Sequence, residues 1–480
     1  MLCDSTASGK AATMFHDPDF TPFEPAERPS YANSVSNYLK NWPAASYREG
    51  FSTLPGVWKS SPPTVFLTDP ALIQELLVER ADQFTRARIS ARAFSALMDP
   101  ASLFLAEGTD WRWQRRAAAP AFRHENLLAF VPIFAACATA RALEWRTAGA
   151  LDAVDVHKAM TRTTFDVICE AVLGDPVAFD RDAFLAALTD AFGGFSWQAL
   201  FAAFGLPRWA PHPGYYRMRA AVMHLNSEAA RIIAARRAAG SGGRNVLALL
   251  LSARDPETGR VMTDSELASN LFTFIAAGHE TAAIALAWSL WLIAKDQTTQ
   301  ERLRQEVADV AGAHEIGPDD VDKLVFTQQV VQEALRLFPP APGLTRQAKE
   351  DTQIGPYPIS KKSSVFVAIW SLHRNERLWE EPTAFDPDRF APEKAKARHR
   401  FVYLPFGGGP RVCIGMSFAM LEITTILATL VRELRFTTVP GFRADVAPNV
   451  TLRPKGGLPL KIERVGRSAS SGRAAGHSPT

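Results

Sequence analysis

Apolar positions along this chain follow mainly a helical rhythm, and one stretch departs from it by being apolar on every side. From Leu271 to Ala294 the sequence reads LFTFIAAGHETAAIALAWSLWLIA, long enough to cross a membrane. Two readings compete: a membrane span, or a helix running through the centre of a large core. His279, Glu280 and Thr281 lie at its middle, where a charge would be costly in lipid. A buried helix opening at Asp264 explains the apolar girth without that cost.

The remaining elements follow from spacing and turn residues. Residues 63–80 read as a short strand, a proline turn and an amphipathic helix beginning near Asp69. Residues 109–123 read as a helix capped by Thr109 or Asp110 and broken around Pro120. From 125 to 245 the chain is rich in Ala, Leu and Arg at helical spacing, interrupted at 174–176 and again at 205–214. A loop at 240–243 precedes a helix over 245–252, and further helices are expected over Thr299–Ala313, Asp320–Leu337 and Leu421–Arg435. Strand-like pieces occupy 352–369 and 441–465, and a coil rich in Pro, Arg and Phe occupies 380–412. The pattern predicts a mainly α chain with small, separate β-sheets (α+β). It forms one domain over 31–465, with a loosely ordered arm at 1–30 and a disordered tail at 466–480.

Composition narrows the classes. Of 480 residues 47% are apolar, with 30 Phe, enough for a thick core. A net charge of +3 gives no whole-chain argument for nucleic acid. The four cysteines, at 3, 137, 169 and 413, are scattered and fit a reducing compartment better than a disulfide framework. Residues 15–30 are acidic and contain proline, unlike a signal segment, so a cytoplasmic monomer without a membrane span is expected.

The chemistry concentrates in FVYLPFGGGPRVCIGMSFAMLE, Phe401 to Glu422. Three glycines permit tight turning and close backbone approach to a flat cofactor. Cys413 precedes a helix start, whose unpaired N–H groups favour a thiolate. Arg411 could meet a cofactor carboxylate. On spacing alone, a single cysteine in a glycine-rich loop is more often ordinary than catalytic.

The pattern Phe406-x-x-Gly409-x-Arg411-x-Cys413-x-Gly415, followed by Phe418, Ala419 and Glu422, resembles the haem-ligand loop of the cytochromes P450. The resemblance runs over roughly residues 60–460, with further motifs in the family's order. It implies a haem-thiolate monooxygenase with haem b ligated by Cys413 and O2 as co-substrate, and Phe406, Gly407, Gly415 and Arg411 around the cofactor. It implies that Ala277 and Gly278 let the long helix pass close over the haem. Glu280 and Thr281 resemble the family's acid–alcohol pair, which moves protons during oxygen activation; the plainer reading makes both structural. His279 is expected to point away from the iron.

By the same resemblance Trp111, Arg115, Arg346 and Arg411 hold the haem propionates, although Trp111 could simply fill core. Glu333, Arg336 and Arg389 resemble a buried charge network that fixes the cysteine loop. No flavin domain or iron–sulfur cysteine set is visible in the sequence. Electrons are therefore expected from a separate acidic ferredoxin or flavodoxin with an NAD(P)H-dependent reductase, steered by Lys394, Lys396, Arg398 and Arg400 together with Arg112 and Arg116. The substrate is expected to be a small hydrophobic molecule: a fatty acid, a terpenoid or a steroid-like compound. Its walls would include Phe94, Met98, Phe104, Phe192, Phe195, Trp197, Phe201, Phe204, Ala276, Ala277, Pro340, Ala341, Val450 and Thr451. A peroxide-driven hydroxylase of the same fold and a non-catalytic haem sensor are the competing functions. The acid–alcohol pair weighs against the first, and the Ala277-Gly278 passage against the second.

Overall fold

A computed structural model describes residues 51–54, 64–149, 151–174, 180–238, 245–448 and 451–465. The expected arm at 1–30, the tail at 466–480 and Val450 lie outside the described residues.

The apolar stretch is a single helix, Asp264–Lys295, about 48 Å long at the usual rise. Thr263 and Glu266 form a reciprocal capping box at its start, and Asp264 and Glu266 complement its dipole. Most of its side chains are buried, including Trp288 and Trp291. Trp288 stacks on Phe338 with ring centroids 3.9 Å apart, which ties this core helix to the end of the helix Val325–Leu337. Around it pack Val156–Ile168, Tyr215–Ala238 and Met416–Glu433. His124–Thr147 is also long and apolar enough to cross a membrane. Within it Val131, Phe134, Ala138, Ala142 and Trp145 are buried while Glu144 and Arg146 are exposed, the division of a half-buried helix on a core.

Beside this helical body lies a five-stranded sheet in the order Phe51–Leu54, Thr64–Leu67, Ser364–Val367, Leu344–Ala348, Phe84–Thr85. Its Thr64–Leu67 and Ser364–Val367 strands are parallel, and the other pairs antiparallel. A three-stranded sheet pairs Leu151–Asp155 and Leu434–Thr438 with Pro459–Arg464. The α+β architecture therefore matches the expectation, with sheets small and separate from the helices.

Several boundaries move. The helix expected from Thr109 begins at Gly108, and neither Thr109 nor Asp110 caps it. Gly108 takes φ +57°, a left-handed turn into the helix that a side chain would resist. The helix expected over Asp320–Leu337 is two, Pro318–Val321 and Val325–Leu337. The break is stabilised from outside, because Glu306 accepts hydrogen bonds from the N–H groups of Phe326 and Thr327 at 2.6 and 2.8 Å. The last helix starts at Met416 instead of Leu421, directly after the cysteine loop. Leu151–Asp155 is a strand inside a stretch expected to be helical. The helix near Asp69 forms as expected, with Asp69 accepting from the N–H groups of Ala71 and Leu72.

Candidate active site

The loop from Leu404 to Gly415 is built by backbone hydrogen bonds. Gly407 N–H donates to Leu404 O, Val412 N–H to Gly409 O, and Cys413 N–H to Phe406 O, at 3.0, 3.1 and 3.0 Å. Gly409 takes φ +70°, and a Cβ there would lie 2.0 Å from the Leu77 carbonyl oxygen. The loop is thus clamped against the segment Glu75–Glu79 at a place only glycine fits. Gly415 then precedes the helix Met416–Glu433.

Cys413 is the exposed one of the three described cysteines, yet enclosure by protein pushes its thiol up. A group both reachable and enclosed stands on the wall of a recess. The Gly415 N–H and then the charge of Arg115 pull in the opposite direction, towards the thiolate. Cys137 and Cys169 differ: burial pushes each up to about 12, and they are inert packing groups.

The central helix contributes a second accessible spot. Ala277 is exposed although Ala276, His279 and Glu280 are buried. Thr281 lies one turn on, and its hydroxyl donates to Ala277 O at 2.7 Å. Gly278 faces elsewhere: a Cβ on it would come 2.8 Å from Ile168 Cδ1, so its bareness serves contact with the helix Val156–Ile168. His279 Nδ1 lies 2.9 Å from Ile275 O, as the donor to that carbonyl, and the ring packs edge-on against Phe165, turned into the core. Glu280 is bound by Thr451 at 3.1 Å and ion-paired with Arg453.

Arg115 lies within the field of Cys413, and Arg86, Arg346 and Arg411 within one another's. Arg115 is pulled down by burial and raised by the nearby cysteine. Arg411 lies over the Trp111 ring at 4.5 Å, pairs with Glu107 at 2.8 Å and donates to Ala106 O at 2.9 Å. Arg346, on the strand Leu344–Ala348, is lowered to about 10 by burial and then by Arg411. Arg86 is lowered to about 10 by burial, then by Arg411 and Arg346. Sequence reasoning missed Arg86, which belongs to no spaced motif; its guanidinium lies 4.3 Å from the Phe104 ring centroid and its Nε is buried without a partner. Arg86, Arg346 and Arg411 repel one another with Glu107 as the acidic group acting on them. Such a cluster favours an anionic ligand. A soft thiol, a bare glycine loop and a donor set for two carboxylates fit haem b, which Cys413 and these arginines would hold.

Glu333, Arg336 and Arg389 form a buried charge network. Arg336 donates to both oxygens of Glu333 at 2.6 and 2.7 Å, and Arg389 lies 3.4 Å from Glu333. A further residue links it to the loop. His373 Nδ1 lies 3.2 Å from Arg336 O, and Leu404 N–H donates to His373 Nε2 at 2.8 Å. These roles fix the neutral Nδ1–H tautomer, and burial followed by the Arg336 charge lowers the ring well below the ordinary value. Arg398 and Arg116 leave the proposed basic surface. Arg398 lies over Trp379 at 4.2 Å and donates to Arg389 O at 2.7 Å; Arg116 is engaged by Asp255 and Glu257 at 2.8 and 3.1 Å. Lys394, Lys396, Arg400 and Arg112 remain exposed.

Of the expected substrate walls, Phe94 contacts Phe104 and Phe195 with centroids 4.9 and 4.7 Å apart. Trp197 and Phe204 are exposed, and Trp197 stacks on His212.

Comparison with known proteins agrees with this geometry. The family model for cytochrome P450 matches residues 43–458. Cyclooctatin synthase of Streptomyces melanosporofaciens is 33% identical over 80% of this chain and 83% of that protein. A cytokinin hydroxylase of Arabidopsis thaliana is 30% identical over 85% of this chain and 80% of its own. The 11-oxo-beta-amyrin 30-oxidase of Glycyrrhiza uralensis is 29% identical, again over 85% and 80%. The crystal structure of the cytochrome P450DA haem domain superposes with a TM-score of 0.81 at 26% identity, over 92% of this chain and 97% of that one. The chain belongs to the cytochrome P450 family and is a haem-thiolate monooxygenase.

Proposed function

We propose that this monooxygenase inserts oxygen into a cyclic, terpenoid-like substrate, using Thr281 and Glu280 to manage protons and a separate acidic ferredoxin or flavodoxin, fed by an NAD(P)H-dependent reductase, as electron donor in the cytoplasm. Haem b, held by Cys413 and by Arg86, Arg115, Arg346 and Arg411 with Trp111, would supply the oxygen-activating iron. The observation that carries the reading is the position of Thr281. Its hydroxyl shares a helix face with exposed Ala277, four residues away. An alcohol there can turn from the Ala277 carbonyl and relay a proton into the recess.

Two observations favour a cyclic substrate over a fatty acid. Phe94, Phe104 and Phe195 make one aromatic cluster, suited to flat or ring-shaped apolar surfaces. Two similar enzymes carry ring compounds in their names, 11-oxo-beta-amyrin and cyclooctat-9-en-7-ol. Electron entry is assigned to Lys394, Lys396, Arg400 and Arg112, the exposed cations before the cysteine loop and on the Trp111 helix.

The test is Thr281→Ala. Product formed per NADPH consumed should fall, with more hydrogen peroxide, while the substrate-induced spin shift is unchanged. Unchanged coupling would remove Thr281 from proton handling. Efficient product formation from peroxide alone in the wild type would favour the peroxide-driven reading. For the substrate class, sclareol (a bicyclic terpenoid diol) should give a larger low-to-high-spin shift than lauric acid; the reverse order would overturn it.

A further inference from the structure

Two buried amides meet near the start of the central helix. Asn270, 0% exposed, lies two turns before Ala277 on the same helix face, about 10 Å away along the axis. Gln114, 2% exposed, stands on the helix Gly108–Ala118. Asn270 Nδ2 donates to Gln114 Oε1 at 2.8 Å, and Gln114 Nε2 donates to Ala101 O at 2.8 Å. Asn270 Oδ1 accepts from the buried Leu103 N–H at 2.7 Å. The two side chains therefore form one bridge that grips a single segment at two points, Ala101 and Leu103. Leucine and methionine would fill the same space without having polar atoms to pair in an apolar core.

The segment held in this way is stiff and carries an aromatic side chain. Its turns are closed by Ser102 N–H on Asp99 O at 3.0 Å and Ala106 N–H on Ser102 O at 2.8 Å. Phe104 sets its ring against Phe94, centroids 4.9 Å apart, and its carbonyl accepts from Arg86. Ala106 O and Glu107 both meet Arg411. One end of the segment is thus tied to the arginine cluster, and the amide bridge ties the other to the central helix. The helix carrying Gln114 has anchors of its own, Arg116 on Asp255 at 2.8 Å and Arg260 over Trp113 at 4.0 Å. Loss of the bridge therefore falls on the segment and on Phe104 more than on that helix.

We propose that Asn270 and Gln114 are positioning residues for substrate selection: their amide bridge fixes residues 101–105 on the central helix and so holds Phe104 in one place at the wall of the recess. The inference rests on the reading of Phe94, Phe104 and Phe195 as that wall. Both amides act through the backbone they bind. Without the bridge the Leu103 N–H lacks a partner in apolar surroundings, and the segment must shift to bring it to water. Phe104 moves with it, and the fit to a ring-shaped ligand loosens.

The experiment compares wild type, Asn270→Leu, Gln114→Met, the double variant Gln114→Met/Asn270→Leu, Asn270→Asp and Phe104→Ala as intact haem proteins. Two iron-ligating probes are titrated by the shift of the Soret band: clotrimazole, whose three aryl rings reach the walls, and imidazole, which is too small to do so. Asn270→Leu and Gln114→Met should each raise the clotrimazole Kd about fivefold, the equivalent of one net hydrogen bond, and leave the imidazole Kd unchanged. The double variant should lose no more than the larger single loss, because the two amides act as one unit. Asn270→Asp keeps an acceptor for the Leu103 N–H, and Gln114 can turn its amide to donate to the new carboxylate, leaving exposed Ala101 to water. That variant should hold the clotrimazole Kd within about twofold of wild type while lowering the urea midpoint, because it buries a charge. In Asn270→Leu the ratio of spin-shift Kd values for sclareol and lauric acid should move towards one. Affinity that follows stability across the whole set would mark a merely structural bridge and overturn the proposal. Unchanged or additive clotrimazole losses, an imidazole Kd that rises alongside, or an unmoved sclareol-to-lauric acid ratio would do the same. Should Asn270→Leu fail to bind haem, Gln114→Met carries the comparison with Asn270 still holding Leu103. If Phe104→Ala leaves clotrimazole binding unchanged, the reading of the aromatic wall falls; if it weakens binding while Asn270→Leu and Gln114→Met are silent, only the role of the amide bridge falls.

Discussion

Replacing Arg336 by methionine removes a charge from a site that water does not reach. The side chains of Arg336 and Glu333 are both 0% exposed. The guanidinium donates twice to Glu333, at 2.6 and 2.7 Å, and once each to the carbonyls of His373, Pro382 and Ala384, at 2.8, 2.6 and 3.0 Å. Methionine fills much of the volume and donates nothing. Breaking a buried pair from one side costs about 3–5 kcal/mol. We expect the lower end, because Glu333 keeps Arg389 at 3.4 Å and the Asp386 N–H at 3.0 Å. At about 1.4 kcal/mol per decade, ~3 kcal/mol is roughly a hundredfold loss in the folded-to-unfolded ratio. Urea unfolding followed by tryptophan fluorescence should show a lower midpoint with an unchanged slope. Haem should also leave faster, because Arg336 and His373 together position Leu404 at the head of the cysteine loop. Removing Glu333 as well, in Arg336→Met/Glu333→Leu, should recover part of the loss, since no carboxylate is then stranded. A loss under about 1 kcal/mol in the single variant would refute the argument, because a buried charge lacking its main partner cannot be that cheap.

Other expectations follow from the same geometry. Cys413→Ser should abolish the red-shifted Soret band of the reduced, carbon monoxide-bound protein; survival of that band would exclude Cys413 as the thiolate ligand. Burial lowers His157, His279 and His373 below the ordinary value of 6.5. As pH falls through about 6.5 the unfolded chain binds protons that the folded one refuses, so stability present above that pH is lost by up to about 1.4 kcal/mol per pH unit for each histidine. His373→Asn should reduce that slope by one proton in urea titrations at pH 5–7, and an unchanged slope would show that His373 does not contribute. Neutralising Lys394, Lys396 and Arg400 together should slow reduction by ferredoxin and flatten its salt dependence without altering the spin shift. Arg398→Gln should instead lower thermal stability, since Arg398 lies between Trp379 and the Arg389 carbonyl; the reverse pattern would restore Arg398 to the docking surface.

How much of the fold the sequence discloses depends on how local its causes are. The central helix was legible because its apolar girth and its opening at Asp264 lie within one segment. Leu151–Asp155 was not, because its pairing partner Pro459–Arg464 lies some three hundred residues away and its own stretch has helical composition. The break before Val325 was hidden for a similar reason: Glu306, on another helix, supplies the cap. The start of the last helix at Met416 was obscured by the glycine-rich run before it, which reads as coil until the loop's own hydrogen bonds are known.

The site divides along the same line. Cys413, Arg411 and the Glu333–Arg336 pair could be named from sequence through the motifs they resemble, and not from spacing alone. Arg86, His373 and Arg453 could not, since each acts on a group distant along the chain: Arg411, Leu404 and Glu280 respectively. Ala277 and Gly278 show how two adjacent small residues of one motif can meet different surroundings. Neighbours on a helix point about 100° apart, so one small pair meets two different demands. Ala277 is exposed and accepts from the Thr281 hydroxyl one turn on, whereas Gly278 lets the helix Val156–Ile168 approach through Ile168. Smallness at 278 therefore bears on how closely two helices approach. A motif read as a single unit turns both towards the cofactor; the helix geometry gives Gly278 to the neighbouring helix.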